Sequence, residues 1–149
     1  MTTIIRTSSD NTHFKNLVAL LDADLAERDG EDNAFYAQFN GIEQLNNCVV
    51  LYADDNPVAC GAFKQYNKVA VEIKRMYVLP EHRGKGLASR LLLALESWAK
   101  ELNYSNTVLE TGLRQPEAIA LYKKNNYTII KNYPPYEHMA NSVCFRKVL

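Results

Sequence analysis

An α/β domain built on one mixed, mostly antiparallel sheet flanked by helices is the fold class this chain predicts. Three observations predict it: strand-like and helix-like segments alternate along the chain, two strands meet across a tight acidic turn, and no shift of composition divides the sequence. With 149 residues, 47% of them hydrophobic, the chain can bury one substantial core but is short for two. One domain over residues 1–149 follows, without internal repeat, linker or low-complexity tract.

Thr3-Ile4-Ile5-Arg6 reads as a first strand, and Asp10 or Asn11 can cap a helix that spaces Phe14, Leu17, Leu20, Leu21 and Leu25 at helical intervals. The run Asp29-Gly30-Glu31-Asp32 breaks that helix, and Phe35, Tyr36 and Phe39 suggest a second, short one ending near Asn40-Gly41. Cys48 to Tyr52 and Ala59 to Phe63 flank Asp54-Asp55-Asn56-Pro57, a cluster of turn formers that makes a hairpin. A third strand starts at Val69. Leu87, Leu91, Leu95, Trp98 and Leu102 mark a long amphipathic helix, Thr107 to Thr111 a strand, and Pro116 to Asn125 another helix. Strands around Tyr127 to Ile130 and Ser142 to Val148 close the chain.

Seventeen Lys and Arg balance seventeen Asp and Glu, so charge argues for neither a nucleic-acid partner nor a solvating tail, and a small molecule is the expected partner. Cys48, Cys60 and Cys144 are odd in number and set among apolar neighbours, which suits reduced, buried thiols rather than a disulfide framework or a metal site. No segment reads as a signal peptide or membrane span, so a cytoplasmic protein without membrane attachment is expected.

Arg83-Gly84-Lys85-Gly86-Leu87-Ala88 lies where a strand hands over to a helix, a place where free N–H groups and the helix dipole favour an anion. Two glycines let the backbone approach closely, and two cations add donors, so the turn suits a phosphate or pyrophosphate. It lacks the hydroxyl residue after Lys of a P-loop and the third glycine of a dinucleotide fingerprint. The competing reading is a solvated helix start. In the preceding strand the apolar residues Val69, Val71 and Ile73 are odd-numbered, while Met76 and Val78 are even. A parity slip of one is what a β-bulge near Lys74 or Arg75 produces, and it leaves backbone groups unpaired just before the turn.

Ile73 to Ala88 resembles the central motif of the GNAT family of N-acetyltransferases: Arg or Gln, two residues, Gly, one residue, then Gly or Ala, filled here by Arg83, Gly86 and Ala88. Ala118 to Tyr127 is similar to the family's later segment, Ala-x-x-Leu-Tyr-x-x-x-Gly-Phe/Tyr, and the resemblance covers roughly residues 47 to 148. It implies a GNAT-like acyl-CoA N-acyltransferase fold, acetyl-CoA as cosubstrate and no metal. It further implies that Met76, Tyr77 and Val78 bind the pantetheine arm through their backbone, while Arg83, Gly84, Lys85, Gly86, Leu87 and Ala88 wrap the pyrophosphate. Tyr122 takes the position of the family's acid, which protonates the departing thiolate. The expected chemistry is direct attack of a neutral amine on the thioester in a ternary complex, with a bulge N–H stabilising the developing negative oxygen.

An ordinary alkyl ammonium loses its proton at about pH 10.4, so a base must act near neutrality. Glu72, just before the bulge, and Glu110, near the end of the adjoining strand, are the candidates; Glu72 ranks first, and a solvated strand charge is the competing reading of each. Tyr136 and His138 sit in a proline-rich loop that can cover the acceptor or simply turn the chain. Asp22, Asp24, Glu27, Arg28 and Asp29 load the end of the first helix with charge, which reads first as a solvated helix face; the competing reading is an acidic pocket for a cationic acceptor, and Arg28 with Arg114 would instead suit an acceptor carboxylate. Asn126 replaces the family's usual Gly and tolerates a left-handed helix end; Gln115 stands near a position where the family often contacts the cofactor with Asn. The expected acceptor is a small-molecule amine, an amino acid or polyamine. A protein amino group and a catalytically silent CoA-binding domain are the alternatives, and a homodimer stays open.

Overall fold

Asn11 starts the first helix: its side-chain oxygen accepts from the Phe14 N–H at 2.9 Å, satisfying one of the donors that a helix start leaves free. The computed structural model describes residues 1–38 and 45–149. Helix α1 (Thr12–Asp29) follows strand β1 (Thr2–Thr7) and breaks at Gly30, whose φ of 53° suits glycine. A short 3₁₀ turn leads into α2 (Asn33–Ala37). The expected end of that helix near Asn40-Gly41, and its Phe39, lie outside the described residues.

Strands β2 (Asn47–Ala53) and β3 (Asn56–Gln65) form the expected hairpin. Its two connecting residues, Asp54 and Asp55, both have positive φ, the sign that a twist-matched two-residue turn demands. Strand β4 (Ala70–Val78), helix α3 (Leu87–Glu101), strand β5 (Asn106–Gly112), helix α4 (Pro116–Lys124) and strands β6 (Thr128–Ile130) and β7 (Ser142–Val148) complete the order. Asn126, with φ of 72°, takes the left-handed conformation that the sequence predicts after α4.

The described strands lie in the order β1-β2-β3-β4-β5-β7-β6. All neighbours are antiparallel except β4 and β5, the pair joined by the crossover helix α3. Both faces of the sheet are covered, so alternate residues of one strand enter different cores. Val49 and Leu51 pack under α3 with Leu91, Leu92 and Leu95, whereas Cys48 and Val50 pack under α1 with Phe14, Leu17 and Leu21. A third cluster, of Tyr36, Val108, Tyr133, Tyr136 and Cys144, lies between α2, β5, β7 and the β6–β7 loop.

Candidate active site

The parity slip in β4 is a bulge. Lys74 pairs with Ala62 and Tyr77 with Cys60, so Gly61 faces two residues, Arg75 and Met76. Arg75 carries the distortion, with φ of 60°. Gly61 is small because the bulge leans on it: a Cβ there would lie 2.6 Å from Met76 Sδ. The parallel pairing of β4 with β5 stops after Glu72 opposite Val108. Beyond that point the two strands splay, and the edge of β4 from the bulge to Val78 faces a gap instead of a strand.

A cleft of about 530 Å³ occupies the gap. At one end stands the glycine turn. Gly84 and Gly86 have φ of 78° and 77°, and a Cβ on either would point into open space, so their requirement for glycine is conformational. The hydrogen bond from Arg90 N–H to Gly86 O begins the helix ladder. The N–H groups of the first turn therefore have no carbonyl within the helix and face outward at its positive end. Such a cradle fits a pyrophosphate. Arg83 donates its Nε–H to Val78 O at 2.9 Å and lies 5.5 Å from the Tyr77 ring, which pins the turn to the end of the bulged strand.

In the middle of the cleft stand Tyr122 and Glu110. Tyr122 is buried between Tyr127 and Phe145, its hydroxyl has no hydrogen-bond partner among the described residues, and burial raises its pKa above the usual phenol range. It stays a proton donor at neutral pH. Burial pushes the Glu110 carboxyl up to about 7, with Asp29 and Glu72 acting in the same direction and the Ser142 hydroxyl and Lys74 opposing. Glu72 has different company. It accepts a hydrogen bond from the Tyr133 hydroxyl at 2.8 Å and lies 3.7 Å from Lys74 Nζ, a buried ammonium whose pKa burial lowers.

The far end is walled by Leu21, Asp24, Leu25 and Arg28 of α1, Tyr36 of α2 and Tyr136 of the β6–β7 loop. The Tyr36 and Tyr136 rings stack at 6.2 Å. Arg28 pairs with Asp24 and with Glu117 of α4, and Arg114 donates to the Asp29 carbonyl and lies 3.6 Å from Asp32. Both arginines are thus engaged by carboxylates of their own chain. The cysteines stay out of this chemistry, because burial pushes Cys48 and Cys60 up to about 12 and Cys144 up to about 11.

A splayed strand pair, a bulge and a phosphate cradle in one cleft define the arrangement, and residues 14–127 match the acetyltransferase (GNAT) family. The chain belongs to the GNAT family. It is 31% identical to a Klebsiella pneumoniae protein assigned as an acyl-CoA N-acyltransferase, with a TM-score of 0.84, over 100% of this chain and 98% of that one. It is 38% identical over 80 residues to an IAA acetyltransferase of Azospirillum brasilense, 53% of this chain and 52% of that protein. It is also 46% identical over 52 residues to the uncharacterized N-acetyltransferase YjgM of Escherichia coli, 35% of this chain and 31% of that protein. The chain thus spans about half the length of the first of these two relatives and less than a third of the second.

Within this GNAT chain the residues singled out from sequence converge. Glu72, Met76, Tyr77, Val78, Arg83, Gly84, Gly86, Leu87, Ala88, Gln115 and Tyr122 all line the cleft, whereas Lys85 is exposed outside its lining. His138 is exposed and Tyr136 buried. Sequence reasoning missed that Tyr36 lines the cleft and that its hydroxyl meets Ser142. Tyr36 and Ser142 are 106 positions apart and meet at 2.7 Å. The available signal was the polar Ser142, which opens a strand whose Cys144 and Phe145 are buried. Among the described residues no helix is long and apolar enough to cross a membrane, and no cluster of His, Cys, Asp and Glu is placed to hold a metal ion.

Proposed function

We propose that this protein transfers the acetyl group of acetyl-CoA to a primary amine of a small molecule, by direct attack in a ternary complex. The observation that carries the reading is the Glu110 carboxyl, pushed up to about 7, in the same cleft as the bulged strand and the glycine turn. A base poised near the working pH moves protons efficiently in both directions.

In this reading the turn from Arg83 to Ala88 holds the pyrophosphate, and the open edge of Met76 to Val78 bonds the pantetheine amides. Acetyl-CoA, when bound, supplies the activated thioester. Glu110 takes the proton of the acceptor ammonium, which frees the nitrogen lone pair to form the new C–N bond. A backbone N–H at the bulge holds the thioester oxygen as its charge grows. Tyr122 gives its proton to sulfur as the C–S bond breaks, the newly bonded nitrogen releases its second proton to solvent, and Glu110 and Tyr122 return to their starting states by exchange with solvent. Glu72, the first-ranked base from sequence, gives way to Glu110 because Tyr133 and Lys74 already occupy its carboxylate. The stacked Tyr36 and Tyr136 rings wall the acceptor end together with α1, which supports a compact acceptor over a protein one.

Thiol release from acetyl-CoA over a panel of amino acids, polyamines and peptide N-termini tests the proposal. Turnover with at least one small amine, reduced in Tyr122→Phe, is expected. Acetyl-CoA binding without turnover on any amine would establish a silent binding domain instead.

A further inference from the structure

Arg75, the residue at the bulge, carries two costs at one position. Its φ of 60° places a residue with a Cβ in the left-handed region. Its guanidinium is also buried, with 1% of the side chain exposed. Glycine would relieve the first cost and an apolar side chain the second. Costs of this kind persist at a residue where function constrains it.

What the guanidinium reaches points to its use. Arg75 Nη2 donates to Asp22 Oδ1 of α1, a salt bridge between a buried cation and a half-exposed carboxylate. Arg75 Nε is buried without a hydrogen-bond partner among the described residues, so the Asp22 carboxylate is what compensates the buried charge. The Arg75 carbonyl accepts from Cys60 Sγ at 3.5 Å, which holds the bulge backbone against β3. Asp22 follows Leu21 in α1 and stands three residues before Leu25, and both leucines wall the acceptor end of the cleft. Arg75 is followed by Met76 on the open edge of β4. One ion pair therefore spans the helix that faces the acceptor and the strand that faces the thioester.

We propose that Arg75, paired with Asp22, is a positioning residue of the transfer reaction: the ion pair ties the bulge to α1, so that the bulge N–H and the acceptor wall keep the spacing that attack on the thioester requires. The inference rests on the reading that a bulge N–H holds the thioester oxygen. Attack needs the amine and the carbonyl carbon held close to contact, so a small displacement of either wall costs rate rather than binding. The turn from Arg83 to Ala88 lies further along the chain and is pinned by its own bond from Arg83 to Val78 O. Losing the pair therefore leaves the grip on CoA in place.

The test compares wild type with Arg75→Met, Asp22→Asn, the double variant and Arg75→Lys. Each is measured by kcat and KM with the panel amine that gives the highest turnover, by calorimetry with free CoA, and by thermal denaturation. Arg75→Met removes the buried charge and keeps an unbranched stem, so its thermal stability should equal or exceed that of wild type. Its kcat should nonetheless fall about 10- to 10²-fold, with CoA affinity unchanged and the loss in kcat rather than in KM. Asp22→Asn, at a half-exposed helix position, should lose kcat in the same range. The double variant should be no slower than Arg75→Met alone, and Arg75→Lys should recover part of the rate by keeping a cation beside Asp22. Arg75→Met that loses stability yet keeps the wild-type kcat would assign the pair to folding alone and overturn the positioning role, as would additive losses in the double variant. Wild-type protein that binds CoA and turns over no amine would overturn the transfer reading, and this inference with it.

Discussion

Replacing Glu110 by Gln keeps the size of the side chain and removes its charge, so it isolates what burial does to the carboxyl. The ordinary value of 4.5 rises to about 7, a difference of about 2.5 units, and at about 1.4 kcal/mol each the fold opposes the charged form by on the order of 3 kcal/mol. The sign follows from proton binding. Between 4.5 and 7 the folded chain keeps a proton that the unfolded chain has lost, so this group's contribution to stability is full below 4.5 and is lost as pH rises through 7. Glutamine cannot ionise. Glu110→Gln should therefore gain about 2 kcal/mol more stability over wild type at pH 8 than at pH 5, read from urea denaturation at both pH values. Its kcat/KM should fall about 10²- to 10⁴-fold, the usual contribution of a general base. Wild-type kcat/KM should decline about tenfold per pH unit below 7. Equal stabilisation at both pH values, together with retained turnover, would refute the reasoning.

Arg83→Ala removes one charge-assisted donor at the turn and the tie to Val78 O; acetyl-CoA affinity should weaken by about 1.5 to 3 kcal/mol in calorimetry, and unchanged affinity would count against the pyrophosphate role. Tyr122→Phe loses the buried hydroxyl alone, so kcat should drop at least about 10²-fold while acetyl-CoA binding holds, and a full-rate variant would remove the proposed acid. Gly61→Val forces a branched side chain against Met76 Sδ and Leu95; a stability loss of about 1 to 3 kcal/mol by thermal denaturation is expected, because the bulge must shift.

The order of strands and helices was legible because both core faces leave a period in the sequence, and the bulge was legible because it breaks that period. Val71 and Ile73 pack under α3, and after the extra residue Val78 does so again, with Met76 against the same cluster. The glycine turn was legible from composition, since positive φ at Gly84 and Gly86 restricts the residue type. The different surroundings of the two strand carboxylates were not. Glu72 and Glu110 look alike in a strand pattern, and what separates them is tertiary: Tyr133, 61 positions away, holds Glu72, while Glu110 is half-buried and feels the Asp29 charge. The Tyr36–Ser142 contact was illegible for the same reason, because hydrogen bonds between distant segments leave no periodic trace. Arg28 and Arg114 read as free cations in sequence, yet Asp24, Glu117, Asp29 and Asp32 engage them in the fold.

The central claim is that the gap between β4 and β5 receives acetyl-CoA, with the pyrophosphate on the turn from Arg83 to Ala88. Calorimetric titration of the full chain with acetyl-CoA tests it directly, repeated with Gly86→Val, in which a branched residue must adopt a φ of 77°. Saturable one-to-one binding that free CoA competes away, and that Gly86→Val weakens at unchanged global fold, is the expected result. No saturable heat in the wild type, or equal affinity in the variant, would contradict it.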